Sequence, residues 1–390
     1  MSQFEVVWDG FIEVMSSNKS IAVWCAPISG EAGIKFEVHF NYWRMPDRPQ
    51  RIPWFRRAQI REHCDFAEIG IMVEDVRLVD KLFLYLPATL APSEIGDCSP
   101  YFVERDVVQG IFNELLTAQA RTSGPLVLKR SNGRIFCRMH WFSPNAAQTG
   151  ISNTELTVRA FDVGTLCTIQ PAALRACEAK SGASRAYFRL RITMPADKEN
   201  NPFVEDIPVY DRALLSGYDQ IEYLDFRLNE ARTLPTVVET RMASDQPASA
   251  AHMTLVAFLT AVPVSAELSV ANTEFHKMRL LEYPIWSTYA PGLPRGMVVY
   301  HWKRTAKGKP ITDFSAFVKL QIRRSGRATL VRYLGVAFAF GVLGNLTAGW
   351  LQDPVDHVFM ALWTGLCGLA ALLLVTGKLL WTYVLDALRR

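Results

Sequence analysis

Two runs near one end of this sequence, Tyr333 to Leu351 and Val358 to Gly377, contain no charged side chain. A helix needs about 20 apolar residues to cross a hydrocarbon layer about 30 Å thick, and each run has that length. Only Gln352 to His357 lies between them, so the pair predicts a hairpin of two antiparallel membrane-spanning helices. The alternative is a pair of buried core helices, which would require a water-soluble core to enclose two adjacent charge-free runs. The flanks carry the orientation. Lys319, Arg323, Arg324, Arg327 and Arg332 precede the first run, and Lys378, Arg389 and Arg390 follow the second. The connecting loop has Asp353 and Asp356 and no basic residue. The positive-inside bias then predicts a multi-pass protein of the inner (plasma) membrane, with both termini cytosolic and the loop outside. The first residues lack a basic start and an apolar core, so no signal peptide is expected.

Ahead of the runs lie about 328 residues whose periodicity is mostly that of strands. Ile34, Phe36, Val38, Phe40 and Tyr42 alternate with Lys35, Glu37, His39, Asn41 and Trp43, which predicts a long strand with one buried face. His39 falls on the other face and is expected to be solvated. Further strands are predicted at 66–74, 78–86, 154–163, 165–169, 186–194, 219–229 and 252–264. The strand at 186–194 puts Tyr187, Arg189 and Arg191 on one face. Asn132-Gly133 between two apolar runs predicts a hairpin, because both residues tolerate positive φ. Helical spacing predicts helices at 3–16, 104–119 and 273–283. A closing hairpin is expected between 297–303 and 311–323. The fold class is therefore a β-rich α+β body, sandwich-like with a few helices, followed by the C-terminal hairpin. Polar, proline-rich sequence at 195–209 and 242–251 marks candidate linkers. The expected domains are 1–200, a second β-rich subdomain or continuation at 201–328, and the hairpin at 329–390.

Chemistry is harder to find. No phosphate-loop, dinucleotide, zinc-protease, hydrolase or kinase signature is present. The seven histidines do not cluster at metal-ligand spacing, and no cofactor is implied. Seven cysteines without a C-x-x-C pair read as reduced, buried thiols. His63-Cys64-Asp65 brings three useful side chains together in sequence, but neighbours on a strand point apart, and Glu74-Asp75 with Asp80 and Glu205-Asp206 with Asp211 are carboxylate groupings of the kind usually found in solvated turns. The stronger candidate is the proline-interrupted segment 44–62. There Arg51, Arg56, Arg57 and Arg61 surround Trp54 and Phe55. Arginine binds phosphate in a fork and aromatics stack on bases or sit among headgroups. The segment reads as a contact for an anionic ligand (nucleotide or nucleic acid) or for lipid, set against a solvated loop with its aromatics tucked inward.

The apolar runs carry small-residue stripes: Ala337, Gly341, Gly344 and Ala348 on the first, Ala361, Gly365 and Gly368 on the second. In lipid such stripes let helix backbones approach, within one hairpin or between copies. Asn345 lies beside the first stripe, where an intramembrane amide seeks a hydrogen-bond partner. No Asp, Glu, Lys, Arg or His lies within either run, which argues against proton or ion coupling. With spans 333–351 and 358–377 behind a cytosolic body, the organisation is similar to that of two-span membrane effectors of bacterial antiviral defence. The resemblance is carried by the two spans alone. It implies a cytosolic sensing part, an oligomerising hairpin, and membrane disruption or depolarisation. The residues themselves leave open a non-enzymatic adaptor bound to a protein partner, and a membrane-tethered enzyme.

Overall fold

Alternation of apolar and polar side chains builds most of the body, because a strand places successive side chains on opposite faces. The computed structural model describes residues 19–352 except 30–32, 46–64, 120–123, 145–149, 181, 183, 195–200, 208–218, 248–249, 273–274 and 324–326, together with Gly365. The first half of the chain contributes β1 (Ser20–Pro27), β2 (Ile34–Trp43), β3 (Phe66–Val73), β4 (Val79–Leu86), β5 (Ile95–Asp97), β6 (Leu116–Ala118), β7 (Leu126–Arg130), β8 (Ile135–Met139), β9 (Leu156–Phe161), β10 (Gly164–Ile169) and β11 (Ala186–Thr193). The second half contributes β12 (Val204–Ile207), β13 (Asp219–Leu228), β14 (Ala251–Pro263), β15 (Ala266–Ala271), β16 (Lys277–Leu280), β17 (Met297–Thr305) and β18 (Phe314–Arg323). The helices are α1 (Arg105–Phe112), α2 (Pro171–Ala176), α3 (Thr236–Asp245), α4 (Tyr283–Tyr289) and α5 (Arg327–Gln352).

Two mixed sheets result. One runs β15-β18-β13-β1-β4-β10-β9, with β12 on β13. The other runs β16-β17-β14-β2-β3-β11-β8-β7-β6, with β5 on β11. Parallel pairs join β1 to β13, β2 to β14 and β8 to β11. Strands from both sides of residue 200 therefore share each sheet. The apolar faces meet in one core, with Phe36, Val38 and Phe40 of β2 against Leu224 and Phe226 of β13 and Leu82 and Leu84 of β4. Phe40, Phe226 and Phe258 stack with centroids 4.1 to 5.7 Å apart, an offset arrangement that adds to the area they bury. Outside this sandwich, α3 covers Trp24 and Phe83 of the first sheet, and α1 and α4 cover Trp43 and Tyr187 of the second.

Several expectations change. The helix foreseen over 104–119 ends at Phe112, because Asn113 turns left-handed at φ 52°, and Leu116 belongs to β6. The helix foreseen over 273–283 is edge strand β16 followed by α4, whose Pro284 occupies the first turn. Pro there sacrifices no intrahelical bond. The linker foreseen at 242–251 holds the end of α3. The strands at 297–305 and 314–323 exist but do not pair. β17 joins β14 and β16, whereas β18 joins β13 and β15, so residues 306–313 cross from one sheet to the other. The Asn132-Gly133 hairpin forms as foreseen, with Gly133 at φ 78°. The helix at 3–16 lies outside the described residues.

The chain separates into two compact units, Met1–Arg323 and Arg324–Arg390. In the second, α5 spans 26 residues and covers the first apolar run. Among the described residues no helix is long and apolar enough to cross a membrane. The second run lies outside them apart from Gly365.

Candidate functional site

The outer face of the second sheet, opposite the main core, carries an unusual row of polar side chains. Register builds it. Lys277 of β16 faces His301 of β17, then Leu259 of β14, Asn41 of β2, Glu68 of β3 and Arg191 of β11. The neighbouring row on the same face reads Lys303, Ala257, His39, Gly70, Arg189. Helices α1 and α4 cover one end of these rows. The other end is open and forms a cleft of about 430 Å³.

Under the helices, Glu68 and Arg189 are fully buried. Glu68 accepts from Arg189 Nη2 at 2.7 Å, from Arg191 Nε and Nη2 at 2.9 and 2.7 Å, and from the Tyr289 hydroxyl at 2.8 Å. Burial pushes the Glu68 carboxyl up, but the guanidiniums of Arg191 and Arg189 outweigh it and hold it below the usual range. A buried carboxylate is tolerated only with this degree of pairing. Arg189 Nη1 also donates to the Tyr187 hydroxyl at 2.8 Å, which lies 3.3 Å from His39 Nδ1. Gly70 makes room for that hydroxyl, since a Cβ there would sit 1.9 Å from it. The network therefore reaches from the covered core to the cleft wall.

At the wall, His39 lies 3.6 Å from Glu37, which accepts from Arg185 at 2.7 Å. Burial lowers the His39 pKa further than Glu37 can raise it. His39 is thus not the solvated strand residue that alternation suggested, because β3 and β11 bring Tyr187 over it. His301 is pushed down to about 4, first by burial and then by the neighbouring His276, Lys303, His39 and Lys277. The imidazoles of His276 and His301 are 6.1 Å apart. Arg130 and Arg185 stack on Phe136, 5.0 and 4.7 Å from its centroid. The lining supplies donors, positive charge and an apolar floor of Leu255, Ala257 and Leu259. Its titratable side chains are the imidazoles of His39, His276 and His301, the carboxylates of Glu37 and Glu114, and the lysines and arginines.

None of the foreseen site residues is among the described residues that line the cleft. Arg51, Trp54, Phe55, Arg56, Arg57 and Arg61 all lie outside the described residues. Arg44, at the start of that segment, is buried and donates to Glu222 at 2.7 and 2.8 Å. Asp65 accepts from the Tyr42 hydroxyl at 2.7 Å and from Met45 N at 2.8 Å. The Arg44–Glu222 pair links the end of β2 to β13 across the sandwich, and the Asp65 bonds tie the start of β3 to the end of β2, a structural use of residues that looked like loop. Ala337, Gly341, Gly344, Asn345 and Ala348 lie exposed on α5, and Gly365 is likewise exposed. Ala361 and Gly368 lie outside the described residues. Asp75 is engaged by Arg77 and Glu205 by Lys19, and no group of metal-ligating side chains occurs among the described residues. The five described cysteines are buried and free, and burial pushes the Cys167 thiol up to about 12.

The cleft residues are scattered over six strands, and sequence periodicity does not report which strands pair. The available signal was polar alternation, Glu37-His39-Asn41 and Tyr187-Arg189-Arg191, on strands whose other face is apolar. No protein-family model matches this chain, and no curated protein matches it.

Proposed function

We propose that this protein is a membrane-anchored binding protein, whose β-rich body receives a ligand in the cleft while its C-terminal apolar segments hold it at a bilayer. The observation that carries the anchoring is the surface of α5. Leu334, Val336, Phe338, Phe340 and Leu343 are 42 to 69% exposed. At 3.6 residues per turn they fall on opposite sides of the helix. A helix apolar all round belongs in a core or in lipid, and only the six residues 352–357 separate Leu351 from the second charge-free run. The cleft supplies the binding half, with a size in the range of small-molecule sites.

A more active version has support from connectivity. Only residues 324–326 separate β18 from α5, so a ligand-driven shift in the body would be passed to the apolar helix by covalent linkage. That favours an effector that disrupts or depolarises the membrane over a passive adaptor. The test of anchoring is alkaline extraction of membranes carrying the full chain, with an accessibility reporter at residue 354. The chain is expected to stay in the pellet and the reporter to be outside the cytosol. A chain that remains dissolved without detergent removes this reading.

A further inference from the structure

We infer that the cleft takes a phosphate-bearing small molecule, with Lys277, Lys303 and His301 gathered around the phosphate. The inference rests on the cleft being the ligand site of the body. Charge is the first argument. Five cationic side chains line the cleft against two carboxylates, and both carboxylates are engaged. Glu37 holds Arg185 at 2.7 Å, and Glu114 holds Arg130 at 3.0 Å. Arg279 lies 3.8 Å from Glu282. Lys277 and Lys303 have no carboxylate within ion-pair distance among the described residues, and both are exposed on the cleft side.

Geometry is the second argument. Lys277 is the direct cross-strand neighbour of His301, and Lys303 follows His301 by two residues on the same face of β17. Two ammonium groups therefore flank one imidazole from the edge strand and from its own strand. His276 lies beyond it, its ring 6.1 Å away. Crowding of positive groups is unfavourable in an empty, partly desolvated cleft, and an entering anion offsets it. A dianion with three free oxygens matches two lysines and an imidazole better than a carboxylate does, because lysine binds phosphate as a point charge with three donors. Leu255, Leu259 and Phe112 offer the remainder of the ligand an apolar surface. Ala257, between His39 and Lys303 in register, keeps the floor low enough for it.

The probe is inorganic pyrophosphate, titrated calorimetrically into the full chain in detergent micelles, with citrate as a carboxylate of comparable charge. The wild type is expected to bind pyrophosphate more tightly than citrate, and to bind it more weakly as salt is raised. Lys277→Gln and Lys303→Gln should each weaken pyrophosphate binding about tenfold, with the double variant weaker still. Both lysines are exposed, and an unchanged thermal melt confirms that the variants fold. No heat from pyrophosphate, equal affinity for citrate, or a double variant that binds like the wild type each overturns the inference. A chain that resists alkaline extraction yet ignores pyrophosphate loses this inference alone. A chain that binds pyrophosphate yet dissolves without detergent loses the anchoring alone.

Discussion

At the scale of single residues, the cleft is governed by how many like charges are placed around a few neutral rings. His301 is held to about 4, against an ordinary value of 6.5, first by burial and then by the neighbouring His276, Lys303, His39 and Lys277. In the unfolded chain it regains its ordinary affinity for protons. Between about 6.5 and 4 the unfolded state therefore binds more protons at this position, and stability falls as pH falls through that window. Asp97 acts the other way. Burial, against hydrogen bonds from Ser99 and Phe142, pushes its carboxyl up to about 6, so its contribution grows as pH falls. A bulk pH profile mixes the two, and a paired comparison isolates the histidine. The wild type is expected to lose melting temperature relative to His301→Asn as pH is lowered from 7 to 4. A difference that stays constant across that range would mean that His301 titrates normally.

At the scale of elements, the strands legible in the sequence are those with one apolar and one polar face. β2 and β13 show that alternation, β3 reads as a strand from its apolar run although it is buried on both faces, and the Asn132-Gly133 turn dictates its own hairpin. β1 escaped notice because Ser20–Ala26 is buried through most of its length, so no period of two appears. β16 escaped for the opposite reason, since all four of its residues are exposed. β17 and β18 were legible as strands, but their pairing was not. Alternation reports which face is buried and is silent on which neighbour completes the ladder. The same silence hid the cleft, which depends on register between strands more than 200 residues apart, such as Phe36 and Met253. Helix contacts were equally hidden. A Cβ on Gly110 of α1 would sit 2.5 Å from Cζ2 of Trp286, a buried ring of α4. Gly110→Ala is therefore expected to force the two helices apart and to cost about 1–3 kcal/mol, read from denaturant unfolding. Because Gly110 also lines the cleft, pyrophosphate binding should fall in the same variant. Unaltered stability would show that α4 yields freely.

At the scale of the whole molecule, the proposed anchoring assigns the two units to different solvents. The body buries its apolar faces in a four-layer stack of α3, two sheets, and α1 with α4. The second unit does the reverse and carries large apolar side chains exposed along α5. Water does not favour that surface, and lipid does. Lipid alone does not distinguish an anchor from an effector, because both need the same apolar surface. The small residues do. Among the described residues Gly341 and Gly344 have no neighbouring atom within 4 Å of a would-be Cβ, so a larger side chain there meets no described neighbour. Any cost of Gly341→Leu or Gly344→Leu must then come from packing against the second run or against other copies. Under the effector reading, both variants insert normally yet lose crosslinked oligomers, and their expression no longer collapses membrane potential, as read by a voltage-sensitive dye. Under the adaptor reading, the wild type does not depolarise the membrane and the substitutions leave its co-purifying partner in place. Wild-type depolarisation that persists in both variants would assign the membrane activity to some other surface of the hairpin.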